Sequence, residues 1–402
     1  MRSLAGLVGD YDRRIGPAVL AGAGVGGNSV SSALGIWLLL AACAPTAGGA
    51  ERAALEETLG CPAAEAADEL AAFLADPPAA LASAVALWVR AGDGNEAVGG
   101  FLAGLPPEVE AGFMPTQAEA DRWTEERTLG LIGTFPVAID SLTRLILASV
   151  LATRVSWERP FEVVPTAERL GPESPWQGTV DRVLLRFGAE GSRLVRTEAA
   201  GIVAVQEAAA MEDVVVVSVS ADQGVEPAMV RAAALEVSDG SPAISLFDLP
   251  LGGGHSWEIT EREVPAAVDG ERSERIESAA LPAWSADSTH NLKGSGLFGV
   301  APALSTLVGL LVPDPGGDDT EAVQRAVASY SRTGFEAAAV TVFAVRVGSA
   351  RPAPPTERGV ERTAILRFDH PHAVVARAGS GGRYGGLPLF SAWVAQPEEP
   401  GE

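Results

Sequence analysis

Gly334-Phe335-Glu336-Ala337-Ala338-Ala339-Val340-Thr341 runs without a break into Val342-Phe343-Ala344-Val345-Arg346-Val347. A polar, proline-rich stretch follows, from Gly348-Ser349-Ala350-Arg351 through Pro355-Thr356-Glu357-Arg358-Gly359. Glycine gives the backbone freedom that a hinge needs. The three alanines are small enough to slide between neighbouring strands with little steric resistance. Ala339–Val347 is strongly β-prone and apolar. A pivot, a run of small residues, a strand former and an exposed loop make one physical unit. An apolar segment of this kind left in water is an aggregation hazard.

Further strand candidates surround this unit. Val323–Tyr330 precedes it, and Ala364–Phe368, Ala373–Ala376 and Leu389–Ala395 follow it. Upstream, Leu145–Leu151 is a nearly continuous apolar run of the sort buried on both faces of a sheet. Val180–Phe187, Gly201–Gln206, Val214–Ser220 and Ala243–Leu249 complete the set. Residues 29–150 read as mostly helical. Ser31 or Ser32 can cap a helix to about Cys43, Glu51–Leu59 is stopped by Gly60, and a third helix opens at Pro62 and ends before Pro77. Thr116-Gln117-Ala118-Glu119 is a capping box for a helix to about Arg127. Helices first and strands later, with no βα repeat, predict an α+β architecture.

The 402 residues carry 29 basic and 52 acidic side chains, a net charge of −23, with 47% hydrophobic residues. That composition buries a large core and excludes a disordered chain. The acidic excess argues against nucleic acid or an anionic membrane as partner. Cys43 and Cys61 make no disulfide framework and are expected as buried thiols. Leu34–Ala44, with Leu40-Ala41-Ala42-Cys43, resembles a signal segment before a lipid-modified cysteine, but basic residues do not immediately precede it and it is too short to span a bilayer. It is expected as a buried helix. With no export signal, a cytoplasmic location is the expectation and an extracellular one the alternative.

Gly22-Ala23-Gly24-Val25-Gly26-Gly27 satisfies a dinucleotide-binding pattern, but the strand and acidic residue that should follow are missing. Gly379-Ser380-Gly381-Gly382 lacks a matched histidine and suits a glycine-rich hairpin. Four scattered histidines and two cysteines offer no zinc spacing. No catalytic residues, no metal and no cofactor are predicted.

In this setting the sequence resembles the serpins, in the manner of a divergent, bacterial-type member, over nearly the whole chain. Ala322–Val327 through Gly334-Phe335-Glu336-Ala337-Ala338-Ala339 is similar to the fifth strand of that family's main sheet and the hinge of its reactive loop. Ser156-Trp157-Glu158-Arg159-Pro160-Phe161 resembles its Trp-Glu-x-Pro-Phe motif, and Phe368-Asp369-His370-Pro371-His372 its Phe-x-x-Pro-Phe strand. Pro388-Leu389-Phe390 through Val394 and Pro397 match its C-terminal strand. Trp123-Thr124 with Gly130 and Ile132, Asn28-Ser29-Val30-Ser31, and Leu281-Pro282 stand at further family motifs. Each is weak alone; their order and spacing together are specific.

The resemblance implies a serpin fold of three β-sheets and about eight or nine helices with an exposed reactive-centre loop. It implies one domain over residues 1–396, with 397–402 as an acidic, frayed tail, and a monomer. It also implies an inhibitor, not an enzyme, whose partner is a serine or cysteine endopeptidase. The protease cuts the loop, which then inserts as a strand into the main sheet. The hinge would be Gly334, Phe335, Glu336, Ala337, Ala338, Ala339, Val340 and Thr341. Sheet opening would involve Asn28, Ser31, Ser149, Trp157 and Gln324.

Four positions depart from the family pattern. Phe335 stands for Thr or Ser, Arg332 for Glu, Gln324 for His and Ser149 for Asn. The span from Gly334 to Phe368 is also longer than usual. Counting forward places the scissile bond near Arg346, Val347, Gly348 and Ser349; counting back places it near Thr356, Glu357 and Arg358. Arg351 is a third candidate, although Pro352 follows it. Two readings stay open: a trapping inhibitor, or a non-inhibitory serpin-like binding or structural protein whose loop does not insert or is already partly in the sheet.

Overall fold

A computed structural model describes residues 2–22, 26–93, 95–166, 169–171, 173–186, 190–266, 268–277, 279–311, 320–335 and 357–401. The chain begins with α1 (Leu4–Gly22), β1 (Ser29–Ser31), α2 (Ala33–Cys43), α3 (Gly49–Leu59) and α4 (Ala63–Ala75). It continues through β2 (Leu81–Val89), α5 (Glu96–Gly104), β3 (Glu110–Phe113), α6 (Gln117–Arg127), β4 (Leu145–Thr153) and β5 (Val155–Ser156). Next come β6 (Glu162–Pro165), β7 (Arg182–Leu185), β8 (Ser192–Thr197), β9 (Gly201–Ala209), β10 (Val214–Ser220) and α7 (Pro227–Ser238). Then follow β11 (Gly252–Gly253), β12 (Trp257–Ala266), β13 (Arg272–Ile276), β14 (Ala280–Leu281), β15 (Trp284–Asn291) and α8 (Ala301–Leu311). The last strands are β16 (Val323–Tyr330), β17 (Gly334–Phe335), β18 (Glu357–Leu366), β19 (His372–Ala378) and β20 (Pro388–Val394).

The ladders group into three sheets. The first is six-stranded, in the order β1-β20-β19-β10-β9-β8. The second joins β11-β12-β18-β13 to β14-β7-β6 through a single bridge between Ala280 and Arg367. The third, the central sheet, has two parts, β3-β2-β4 and β15-β16-β17-β5. They share one strand path, since only Arg154 separates β4 from β5. Among the described residues no ladder pairs β4 with β16, so a seam runs down the centre of this sheet.

Helix α2 explains the apolar run that resembles a signal segment. Ser32 caps it by accepting from the Gly35 N–H, and all of its residues except Leu39 are buried. A helix apolar all round belongs in the interior, and here it packs against α1, α4, β4 and β20. Cys43 lies on it, and burial pushes its thiol up to about 12; burial, with Glu65 and Glu69 nearby, pushes that of Cys61 to about 11. Gly60 ends α3 with φ of 73°, a conformation glycine adopts without penalty. Thr116 and Glu119 form the full capping box at α6.

Some expectations are corrected. Leu81–Val89, inside the stretch expected to be mostly helical, is a strand of the central sheet, buried over most of its length. Its alanines suit a crowded interior as well as they suit a helix. Ala243–Leu249 is not a strand: Ser245 accepts from the Phe247 N–H and starts a 3-10 turn over Leu246–Asp248. Residues 398–400, expected to be frayed, are held by hydrogen bonds. Glu398 donates its N–H to Ala283 O at 2.7 Å, and the Glu399 carboxylate accepts from the Asp181 N–H and from Arg182. The glycine-rich segment 379–382 lies in the turn between β19 and β20, as expected. Gly22 ends α1, so the dinucleotide pattern follows a helix where that motif requires a strand. Among the described residues no helix is long and apolar enough to cross a membrane.

One buried ion pair ties the chain ends together. Arg231 of α7 donates to Asp12 of α1 at 2.6 Å, with side-chain exposures of 3% and 1%, and Ser391 of β20 donates to the same carboxylate. Removing one partner strands a buried charge, which costs about 3–5 kcal/mol. Arg231→Met is therefore expected to lower unfolding free energy by that order in urea titrations. Asp12→Leu combined with Arg231→Met should cost clearly less than the two single losses added together.

Candidate functional site

The hinge sequence enters the central sheet at the upper end of the seam. Gly334 lies opposite Ser156, and Phe335 opposite Val155 on one side and Tyr330 on the other. Ser331 closes the turn between β16 and β17, its N–H and hydroxyl both donating to Gly334 O at 3.0 Å. The Ser156–Phe161 motif wraps this turn. Trp157 donates its N–H to Thr333 O and its indole Nε1 to Ser331 O, each at 3.0 Å, and Phe161 donates to Arg332 O at 2.9 Å.

Aromatic rings build the pocket beneath. Tyr330 lies 4.9 Å from Trp157, 5.6 Å from Phe161 and 6.2 Å from Trp284, stacked on the last. Phe335, 3% exposed, meets the edge of Trp284 at 6.3 Å. The Arg186 guanidinium covers Phe161 at 4.6 Å. Burial raises the Tyr330 hydroxyl above the usual tyrosine range, so it stays neutral. The phenyl ring at 335, which departs from the serpin pattern, is buried against Trp284. Below it Leu151, Val327, Ile132 and Phe390 line a cavity of about 10 Å³, the scale of one water.

Further down, the seam is bounded by a row of polar side chains on three strands. Ser149 of β4 donates to Gly35 O at 2.8 Å. Gln324 of β16 accepts from the Ser32 N–H at 3.1 Å and donates to Ser32 O at 2.8 Å. His290 of β15, directly opposite Gln324 in the ladder, donates Nε2–H to Val30 O at 2.8 Å. All three hold the corner between β1 and α2. Ser149 and Gln324 thus take hold of one segment from opposite sides of the seam.

The residues expected to open the sheet do not form one cluster. Ser149 and Gln324 belong to this row, while Trp157 sits at the hinge end. Asn28 accepts from the Ala395 and Gln396 N–H groups and donates to Ser285 O and Gln396 O, holding the exit of β20. Ser31 lies under α7, 3.4 Å from Arg231. Ser32 and His290 are the members of the row that sequence reasoning missed. His290 could have been found from the alternation Trp284, Ala286, Ser288, His290, all buried in β15. Glu336, Ala337, Ala338, Ala339, Val340 and Thr341 of the hinge lie outside the described residues, as do Arg346, Val347, Gly348, Ser349, Arg351 and Thr356.

Glu357 and Arg358 begin β18, opposite Ala266 and Pro265 of β12. Arg358 pairs with Glu263 at 2.8 Å, and Arg362 with Glu261 at 2.8 Å. Of the span between Gly334 and Phe368, Glu357–Leu366 lies in this ladder, which starts well before Phe368. Among the described residues no group of three His, Cys, Asp or Glu side chains could hold a metal ion.

No protein-family model matches the chain, and no curated protein matches it. Solved structures do. Serpin48 of the insect Tenebrio molitor is 16% identical, covers 98% of each chain and gives a TM-score of 0.59. The thermophilic serpin Tengpin in its native state is 14% identical over 98% of this chain and 95% of its own, with a TM-score of 0.61. Human thyroxine-binding globulin in complex with its ligand is 15% identical over 98% of this chain and all of its own, with a TM-score of 0.63.

Two buried histidines tie stability to pH. Burial pushes His372 down to about 4, and burial also lowers His290. The unfolded chain takes up these protons near pH 6.5 and the folded one only further down, so their contribution is present above about 6.5 and lost as pH falls toward 4. His372 packs against Phe368 and Trp176 at 5.6 and 6.0 Å. His372→Phe is expected to make the acid limb of urea stability shallower between pH 6.5 and 4. An unchanged slope would count against this account.

Proposed function

We propose that this chain, which has the serpin fold, is a protease inhibitor that offers residues 336–356 to a serine or cysteine endopeptidase. The cut strand then enters the central sheet. The seam is the observation that carries this reading. Among the described residues β4 and β16 share no ladder, and Gly334 and Phe335 occupy the upper end between β5 and β16. A strand continuing downward from Phe335 would run between edges of β4 and β16 that have no ladder partner among the described residues, each new backbone hydrogen bond contributing about 0.5–1.5 kcal/mol net. Phe335, Ala337, Ala339, Thr341, Phe343 and Val345 would then share one face by the two-residue period of a strand.

A protease reads an extended, unpaired segment, and Glu357 and Arg358 are paired on β18. The proposal therefore puts the cut upstream of them, with Arg346–Ser349 the favoured region. The proposed target is an endogenous cytoplasmic protease met by a monomer.

One observation favours the second reading, a non-inhibitory binding or structural protein. The ring of Phe335 is already lodged against Trp284, which would arrest the hinge where it stands. Loop cleavage separates the two. Insertion predicts a large gain in melting temperature after cleavage and an SDS-stable complex with at least one member of a protease panel. Cleavage by every protease without complex or gain would sink the inhibitor reading. Ala337→Arg would bury an unpaired charge on insertion, so it should turn the inhibitor into a plain substrate. Phe335→Thr should speed insertion if the ring is what delays it.

A further inference from the structure

The end of the chain grips the walls of the hinge pocket. Glu398 donates its N–H to Ala283 O at 2.7 Å and accepts from the Ser285 hydroxyl at 2.5 Å. Those two residues flank Trp284, whose ring is the wall against which Phe335 and Tyr330 pack. One residue on, the Glu399 carboxylate accepts from the Asp181 N–H and from Arg182 Nε, and Arg182 also donates to Pro400 O at 3.2 Å. This holds the start of β7, whose partner β6 follows directly on Phe161. Gly401 then lies in the same cleft as Pro160, Phe161 and Arg332. Arg332 belongs to the hinge turn, and its carbonyl accepts from Phe161.

The segment therefore touches both sides of the turn: β15 through Glu398, and β6 with β7 through Glu399 and Gly401. We propose that residues 398–401 are a latch on the hinge, fixing Trp284 and the β6–β7 end so that Gly334 and Phe335 stay docked, and that releasing the latch frees the hinge while the rest of the fold stays intact. Glu398 is a positioning residue in this scheme, acting on Phe335 through Trp284. The inference is independent of whether the protein inhibits a protease, because it concerns only the docked hinge.

Amide hydrogen exchange on the full chain tests it. Glu398→Ala removes the bond from Ser285, and Glu399→Ala removes the hold on Asp181 and Arg182. The double variant is expected to exchange the amides of residues 330–335 at least tenfold faster, with those of β10 and β19 unchanged. Glu398→Gln keeps the acceptor and should behave as the parent chain. Unchanged exchange at 330–335 would overturn the proposal. So would a uniform rise across all sheets, which would mark the segment as general reinforcement and nothing more.

Discussion

The central sheet depends on a single corner of backbone, Val30 to Gly35. Three strands reach it through His290, Gln324 and Ser149, and the corner supplies one N–H and three carbonyls in return. Buried backbone groups must find partners, and here the partners are side chains from the paired strands β15 and β16 on one side and from β4 on the other. The sheet is held from behind, by what lies under it, more than across its own seam. Gly35 is part of this arrangement. A Cβ there would come within 2.7 Å of the Leu151 side chain, so a larger residue at 35 would push that side chain aside where β4 passes over α2.

Three of the residues that depart from the serpin pattern, Gln324, Ser149 and Phe335, lie along the seam. Glutamine at 324 both donates and accepts, so one side chain satisfies both backbone groups of Ser32. Serine at 149 is short and still reaches its carbonyl. A histidine is present in the row, but on β15 and not β16. At the other end of the seam, phenylalanine at 335 packs against Trp284 and lies opposite Tyr330 in the ladder. Polar holding and aromatic packing thus sit at different heights along the same opening.

What was legible in the sequence followed from local physics. The caps of α2 and α6, the stop at Gly60 and the strands Val214–Ser220 and Val323–Tyr330 all carry strong short-range signals, and the order of the motifs pointed to the fold. β2 was hidden because Leu-Ala-Ser-Ala-Val-Ala-Leu-Trp-Val suits helix and buried strand alike. β15 was hidden because half its inward face is polar, with Ser288 and His290 next to Trp284 and Ala286. β12 was hidden because Glu-Ile-Thr-Glu-Arg-Glu-Val faces solvent on most positions and is held by cross-strand charge pairs with β18, which no reading of one segment reveals. The split of the expected opening residues into four places had a similar cause: residues near in sequence, such as Asn28 and Ser31, point to different neighbours.

The ladder of β18 has a consequence for covalent continuity. β18 lies between β12 and β13, and β19 between β10 and β20, so everything downstream of Glu357 is woven into two sheets. A break anywhere in 336–356 would leave a nicked particle of two polypeptides with the mass and outline of one. The downstream piece is anchored, so any slack the break creates can be taken up only from the Gly334 side. The polypeptide would lose its thread without losing a part.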